Sequence, residues 1–281
     1  MGFYDKPLYY DIGFSFRDIK KEVDFFEKCI KRFSKIRVKN VLEIACGHSP
    51  HLYELNRRGY SFTGLDLGKE MLDYSLKKAR EKGIKIKVIH ANMNNFKTKQ
   101  KFDFVYVMLG SIFVKSNKEF LSHLNCAVNC LRRGGLYLID GIIKFDFPSS
   151  NKEEWTIHLK NRKLYLIYKN KTTKLPTPKD ELWFVEKNNV KVKVVVKSKV
   201  VDKIKQLHRE KIVLTVKERR RTRKIVVQDV VKKYTFPQEF LELVQRNGKF
   251  EFLGWYPDFN FKPLKIGKGI TPRVVVVLRK R

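Results

Sequence analysis

The stretch Val41-Leu-Glu-Ile-Ala-Cys-Gly-His-Ser-Pro50, read with Gly64-Leu-Asp-Leu67, constrains this chain more than any other. Val41–Ala45 is a short apolar run interrupted only by Glu43, which predicts a buried strand. Cys46-Gly47-His48 predicts a tight turn. Ser49 and Pro50 predict a helix start, with Ser as the N-cap and Pro at the first helical position, where its missing N–H is no loss. The helix is expected to run through Leu52 and Leu55 and to stop at Arg57-Arg58-Gly59, with cations in its last turn and Gly after it. A second strand, Tyr60–Leu65, then ends in Asp66. Strand, Gly turn, helix, strand and acidic residue is the order of a βαβ nucleotide-binding unit. Its turn brings backbone close to a ligand, and its acidic residue accepts hydrogen bonds from a ribose diol.

The same alternation continues downstream. A helix is expected over about 70–82, stopped at Gly83. Ile84–Ile89 alternates apolar and basic residues and predicts a strand with one covered face. Phe102–Met108 is the fourth strand. A helix over about 117–132 follows, capped by Ser116 or Asn117 and stopped by Gly134-Gly135. Leu136–Ile139 is the fifth strand, with Asp140 at its tip. Upstream, a helix over about 17–33 carries Ile19, Val23, Phe26 and Ile30 at helical spacing. Short strands alternating with helices imply a parallel sheet covered on both faces.

These motifs resemble the class I S-adenosylmethionine-dependent methyltransferases. The match runs through Leu42-Glu-Ile-Ala-Cys-Gly47, Gly64-Leu-Asp-Leu-Gly-Lys-Glu-Met-Leu72, Phe102-Asp-Phe-Val-Tyr-Val-Met108 and Leu131-Arg-Arg-Gly-Gly-Leu-Tyr-Leu-Ile-Asp140, in order. It covers roughly residues 20–142 well and about 235–281 moderately. The resemblance implies a doubly wound, Rossmann-like α/β fold with a seven-stranded sheet, and S-adenosyl-L-methionine as cofactor. It implies that Glu43 sits under the turn, organising it or accepting from the methionine amino group. Ala45, Cys46 and Gly47 let the backbone approach. Asp66 takes the ribose hydroxyls, and Leu67 packs on adenine. Asn92 and Met93 frame the adenine, with Asn92 where the family usually has Asp. Met108 and Gly110 close the methionine side. An N-terminal tyrosine, Tyr9 or Tyr10, lies near the methionine moiety or packs the first helix. The family's second glycine in the turn is Ser49 here.

Residues 145–235 break the alternation. Trp155–Tyr168 holds a strand-like run, Leu175-Pro-Thr-Pro178 a turn or linker, and Ile212–Val216 and Ile225–Val231 flank the basic tract Glu218–Lys224. Val190, Val192, Val194 and Val196 alternate with lysines. This predicts a mostly antiparallel β-insertion with one apolar face. It carries 25 Lys and Arg against 10 Asp and Glu, a net +15 of the chain's +32. The last helix, about 235–244, and the strands Phe250–Tyr256 and Arg273–Leu278 resemble the family's closing hairpin. The expected organisation is a cofactor-binding half (1–144), a basic insertion (145–234) that forms a lid and part of the substrate pocket, and a closing segment (235–281). An insertion at this place resembles sugar and amine N-methyltransferases.

The charge has two readings: a polyanionic substrate such as RNA, or a lysine-rich, thermophile-like composition. Trp155, Trp183 and Tyr165 either stack on a base or pack the insertion's own face. Arg219–Lys224 either contacts phosphates or is a solvated tip. The acceptor is accordingly a small molecule or RNA, and a non-catalytic, basic RNA-binding protein on the same fold is a third reading. Met108-Leu-Gly-Ser-Ile-Phe113 lacks the Asn/Asp-Pro-Pro-aromatic motif of base-amine methylation. Cys126, within a helix, and Cys46, in the turn, are poorly placed as nucleophiles. A general base is sought among His123, Asp140, Glu181 and Asp258, with Asp140 and His123 ahead. Four cysteines without C-x-x-C and scattered histidines argue against a metal. No run approaches the ~18 apolar residues of a membrane span. With a start unlike a signal peptide, this predicts a cytoplasmic protein. Pairing of the exposed Val190–Val200 strand predicts a homodimer.

Overall fold

The computed structural model describes residues 7–145, 156–160, 163–167, 181–187, 190–218, 221–264 and 273–281. The chain forms two compact units, Met1–Arg17 with Phe147–Lys232, and Asp18–Asp146 with Lys233–Arg281.

The larger unit is built on a seven-stranded sheet. Its strands are β1 (Asn40–Ile44), β2 (Ser61–Asp66), β3 (Lys87–His90), β4 (Phe102–Val107), β5 (Leu131–Asp140), β12 (Phe250–Pro257) and β13 (Val274–Lys280), in the order β12-β13-β5-β4-β1-β2-β3. β1 pairs in parallel with β2 and β4, β2 with β3, and β4 with β5. β13 runs antiparallel to β5, and β12 to β13. The strand order reverses between β1 and β4, which makes the carboxyl ends of these two strands the ligand crevice of an open α/β sheet.

Both faces are covered. Leu42, Ile44, Val105, Val107, Tyr137 and Ile139 face α5 (Asn117–Cys130) and α6 (Pro237–Asn247). Val41, Phe104, Tyr106, Leu136 and Leu138 face α2 (Ile19–Phe33), α3 (Leu52–Arg57) and α4 (Lys69–Glu81). A parallel strand covered on both faces needs an unbroken apolar run, and β4 is buried at all six positions. β3 is the edge, exposed at Lys87 and His90 and half-buried at Val88 and Ile89, and Ile84–Val88 shows the expected alternation, although the strand is shorter than the 84–89 run. α6 opens on Pro237 and closes at Gly248 in the left-handed region, as its Pro and Asn-Gly signals predict.

One start signal is misread by sequence. α3 begins at Leu52 with no side-chain cap, and Ser49 is not its N-cap but a left-handed residue at φ 52°. The reason is the turn, which uses positive φ at Ala45 (53°), Gly47 (51°) and Ser49. The chain cannot enter the helix until that winding is complete, which leaves Pro50 outside it. The glycine-type backbone thus persists at Ala and Ser positions, each costing about 1 kcal/mol.

The smaller unit contains a four-stranded antiparallel sheet in the order β11-β10-β9-β8, formed by β8 (Glu181–Lys187), β9 (Val190–Asp202), β10 (Leu207–Glu218) and β11 (Arg221–Lys233). A hairpin of β6 (Thr156–Lys160) and β7 (Lys163–Ile167) belongs to the same unit. Val190, Val192 and Val194 are buried, and Lys191, Lys197 and Lys199 are exposed. The cover of the apolar face is α1 (Pro7–Gly13), supplied from the start of the chain. Trp183 Nε1 donates to the Gly13 carbonyl at 2.5 Å, and its ring meets Phe14 and Phe16 edge-on. Tyr9 donates to Glu218 at 3.1 Å. Residues 7–17 therefore belong to the same unit as the insertion. β9 lies between β8 and β10, with β8 paired along Val190–Val196, so that part of the strand is internal to its own sheet. The Leu175–Pro178 turn, Trp155, and Arg219 with Arg220 lie outside the described residues, as does 265–272 of the final connection.

Trp183→Phe keeps the ring contacts but deprives a buried carbonyl of its donor. The expected loss is about 1–2 kcal/mol, read as a lower urea midpoint for the insertion unit.

Candidate functional site

The carboxyl ends of β1 to β4 carry four loops, and each is fixed by a buried polar side chain. Asp66, at the tip of β2, accepts from the N–H of Gly47 through one oxygen and of Gly68 through the other, both at 2.8 Å. It pins the β1 turn to β2, and with the Leu67 N–H as a third backbone donor it still keeps acceptor capacity on the carboxylate. Burial pushes its carboxyl pKa up, and the backbone donors of Gly68, Gly47 and Leu67 only partly offset this. Leu67, next to it, is 62% exposed, unusual for a leucine.

Gly64 in β2 is required by the turn's own side chain. A Cβ there would stand 2.7 Å from Cys46 Sγ. Cys46 is buried, and burial, followed by the charges of Asp66 and Glu43, drives its thiol pKa well up. It is a protonated packing residue and no nucleophile.

Asn92 and Met93 leave β3 on a loop tied to β2 by the Ala91 N–H on the Asp66 carbonyl at 3.1 Å. Asn92 is exposed, and its Oδ1 accepts from the Asn94 N–H at 2.9 Å. His123 supports this loop from α5. Its Nδ1 is 3.1 Å from the Met93 carbonyl and its Nε2 is 2.5 Å from the Tyr137 hydroxyl. The carbonyl can only accept, so Nδ1 carries the proton and Tyr137 donates to Nε2. Burial lowers the His123 pKa to about 4. This candidate base is a neutral, fully buried support.

Met108 is buried at the end of β4, and Leu109 and Gly110 follow in the left-handed region. Asp140 holds them: its carboxylate accepts from the Leu109 N–H at 2.7 Å and its carbonyl from the Gly110 N–H at 2.9 Å. Arg273, just before β13, binds both Asp140 oxygens, with Nε at 2.7 Å and Nη2 closer still. Asp140 is thus a latch, with both oxygens engaged by Arg273 and one also by the Leu109 N–H, not the base its strand-tip position predicts. Asp258 accepts from the Arg273 N–H at 3.1 Å and closes the β12–β13 connection. Glu181 opens β8 in the other unit.

Glu43 is 2% exposed. His51 Nδ1 lies 3.2 Å from its Oε1, and His51 Nε2 lies 2.8 Å from Glu22 Oε2. Glu43 Oε2 has no hydrogen-bond partner among the described residues. The sequence reading missed Glu22, His51 and Arg273. The available signal was Glu22, which falls on the apolar stripe of α2 between Ile19 and Val23.

Glu43, Ala45, Cys46, Gly47, Asp66, Leu67, Asn92, Met93, Met108 and Gly110 thus all stand at the carboxyl edge of one sheet. Tyr10 belongs to the other unit, on α1, with its ring 4.2 Å from Phe14.

Comparison with known proteins agrees with this geometry. Residues 41–135 match the family model of the methyltransferase domain. A Geobacillus sp. (strain WCH70) protein, assigned as a methyltransferase by name alone, is 26% identical over 117 residues, 41% of this chain and 47% of its own. The match therefore spans about half of that relative. Among solved structures, a S-adenosylmethionine-dependent methyltransferase from Clostridium acetobutylicum ATCC 824 superposes with a TM-score of 0.71 at 17% identity, over 97% of this chain and 96% of that one. The sugar N-methyltransferase KedS8 of Streptoalloteichus sp. ATCC 53650 gives 0.65 at 17%, over 98% and 92%. An amino pentose methyltransferase of Micromonospora echinaspora, solved with the cofactor bound, gives 0.64 at 14%, over 97% and 96%.

The fold is that of the class I S-adenosylmethionine-dependent methyltransferases. Within that fold, residues 41–135 are the part that matches the methyltransferase-domain model.

Two stability tests follow from this geometry. Gly64→Ala is expected to cost about 1–3 kcal/mol by overpacking, and Cys46→Ala in the same chain to restore part of the loss, read by urea unfolding of the double-mutant cycle. For His123 the folded pKa of about 4 lies below the ordinary 6.5, so the unfolded chain binds the extra proton. The stabilisation is present above pH 6.5 and is lost as pH falls toward 4, by roughly 2–3 kcal/mol. The stability difference between wild type and His123→Gln is expected to shrink by that amount between pH 7 and pH 4.5.

Proposed function

We propose that this protein is an S-adenosylmethionine-dependent N-methyltransferase that acts on the amine of a small molecule, with amino sugars the first class to test. The observation that carries the cofactor reading is the pair of carboxylates at adjacent strand tips. Asp66 retains acceptor capacity beside an exposed Leu67, and Glu43 keeps one buried oxygen without a partner. A ribose diol and an α-ammonium group supply the donors that these two acceptors lack. When bound, the cofactor supplies a methyl group on a sulfonium, a good leaving group for in-line displacement.

The residues of this chain then do four things. Asp66 takes the ribose hydroxyls, and Leu67 covers one face of the adenine. Asn92 and Met93, held by His123, frame its edge. Glu43 takes the α-ammonium group. Met108, Leu109 and Gly110, fixed by Asp140 and Arg273, would line the methionine side. Placement of the nucleophile about 3 Å from that carbon is the main catalytic demand.

Two points support an amine acceptor. Asp140, His123 and Asp258 are committed to backbone or side-chain partners, and a neutral amine carries its own lone pair, so no proton has to leave before transfer. The likeness to the sugar N-methyltransferase and the amino pentose methyltransferase also extends over nearly the whole chain, insertion included.

Calorimetric titration with S-adenosylhomocysteine tests the cofactor site. Micromolar binding is expected for the wild type, weakened at least about tenfold in Asp66→Ala. Transfer of labelled methyl to a pool of amino sugars and small amines is expected to rise with pH as the amine loses its proton. No cofactor binding sinks the whole reading. Binding with transfer to RNA and none to amines sinks the acceptor.

A further inference from the structure

We propose that His51 is a positioning residue that fixes Glu43 to receive the α-ammonium group of the cofactor, an inference that rests on the methyltransferase reading above. His51 is fully buried, and its two ring nitrogens face two carboxylates, Glu22 at 2.8 Å and Glu43 at 3.2 Å. A neutral imidazole has one N–H and one lone pair. Between two ionised carboxylates it would leave a nitrogen lone pair against an oxygen lone pair. The trio therefore holds one proton beyond that state, on the ring or on a carboxyl group. In either arrangement Glu43 Oε1 is engaged by His51, and Oε2 stays without a partner among the described residues.

The surroundings make this arrangement directional. Arg273 Nη1 is 3.6 Å from Glu22 Oε1 and is itself paired to Asp140. Glu22 thus has two cationic or donor neighbours, while among the described residues the Glu43 carboxylate bonds to His51 alone. The rings of Phe26 and Tyr106 pack on the imidazole at 5.4 and 5.2 Å and fix its tilt. Asp66 lies near enough to interact electrostatically with Glu43 and adds a second negative charge. An acidic, buried acceptor with one oxygen clamped and one open calls for a cation that donates hydrogen bonds, which an ammonium group is. His51 is not a catalytic residue: it acts on the cofactor through Glu43.

Replacing His51 by the two carboxamides separates position from structure. The Asn amide nitrogen lies near the place of Nδ1, which faces Glu43, and the Gln amide nitrogen lies near that of Nε2, which faces Glu22. The probes are S-adenosylhomocysteine, which carries the ammonium group, and 5′-methylthioadenosine, which lacks the amino-acid half. For S-adenosylhomocysteine, Kd is expected to rise roughly tenfold or more in His51→Gln and to stay within about threefold in His51→Asn. The Kd of 5′-methylthioadenosine is expected to be unchanged in both. Equal losses in the two variants, or losses shared by both ligands, overturn the proposal. Wild-type protein that binds neither ligand overturns the methyltransferase reading instead. Should the variants not fold, proton spectra of the wild type decide. The buried His51 ring N–H resonance is expected to shift on addition of S-adenosylhomocysteine and not of 5′-methylthioadenosine, and an identical response to both overturns the proposal.

Discussion

Buried carboxylates that accept backbone N–H groups hold the sheet's loops in place, and the cradle depends on them. Asp66 joins the turn after β1 to β2. Asp140 joins the turn after β4 to β5 and, through Arg273, to β13. At the opposite edge Asp103 accepts from the N–H groups of Lys39 and Asn40 and from Arg132. Burial raises the Asp103 pKa, but those three donors outweigh it and the net shift is downward. A charged acceptor makes stronger bonds to N–H than a neutral one, and its two oxygens serve two loops at once. This is why left-handed residues persist at Ala45, Ser49 and Leu109 without glycine: the surrounding bonds over-determine the backbone.

The insertion unit solves a different problem. A four-stranded sheet with one apolar face cannot stand in water uncovered, and the cover comes from α1, about 170 residues upstream in the chain. Trp183 is 3% exposed in that packing, so it cannot stack on a base. The lysines of β9 alternate with the buried valines and face solvent. Pairs such as Arg209 with Asp229 and Lys191 with Glu186 are exposed on the same unit, where such contacts contribute little. Among the described residues, Lys191, Lys197 and Lys199 therefore form a solvated face of a sheet whose other side is its core.

Most of the fold was legible in the sequence because its signals are local. Apolar runs gave the parallel strands, Gly and Pro gave the helix ends, and the Glu43, Gly47, Asp66 spacing gave the cradle. What was not legible depends on contacts between distant segments. Ser49-Pro50 has the composition of a helix start, yet the turn's winding overrides it. Asp140 and His123 looked like bases because strand tips and helix faces near a crevice are where bases sit. Their occupation by Arg273, Leu109, Met93 and Tyr137 is a tertiary fact. Glu22 is the instructive case, since a charged residue on an apolar helical stripe signals a buried partner without saying which one. The cover of the insertion sheet by α1 had no local signal.

The cradle's own reactive groups are switched off. The Cys46 thiol is held protonated by burial and by two nearby carboxylates. The His123 imidazole is neutral with both nitrogens engaged. The Asp140 carboxylate is shared between an arginine and a backbone N–H. An enzyme that formed a covalent intermediate would need the opposite arrangement, a nucleophile activated by an adjacent base. A site that only positions a cofactor bearing its own electrophilic carbon needs rigid acceptors and inert walls. Rigid carboxylates, an open apolar leucine and quenched nucleophiles are what this sheet edge presents, so the polar groups that looked catalytic in the sequence serve geometry instead.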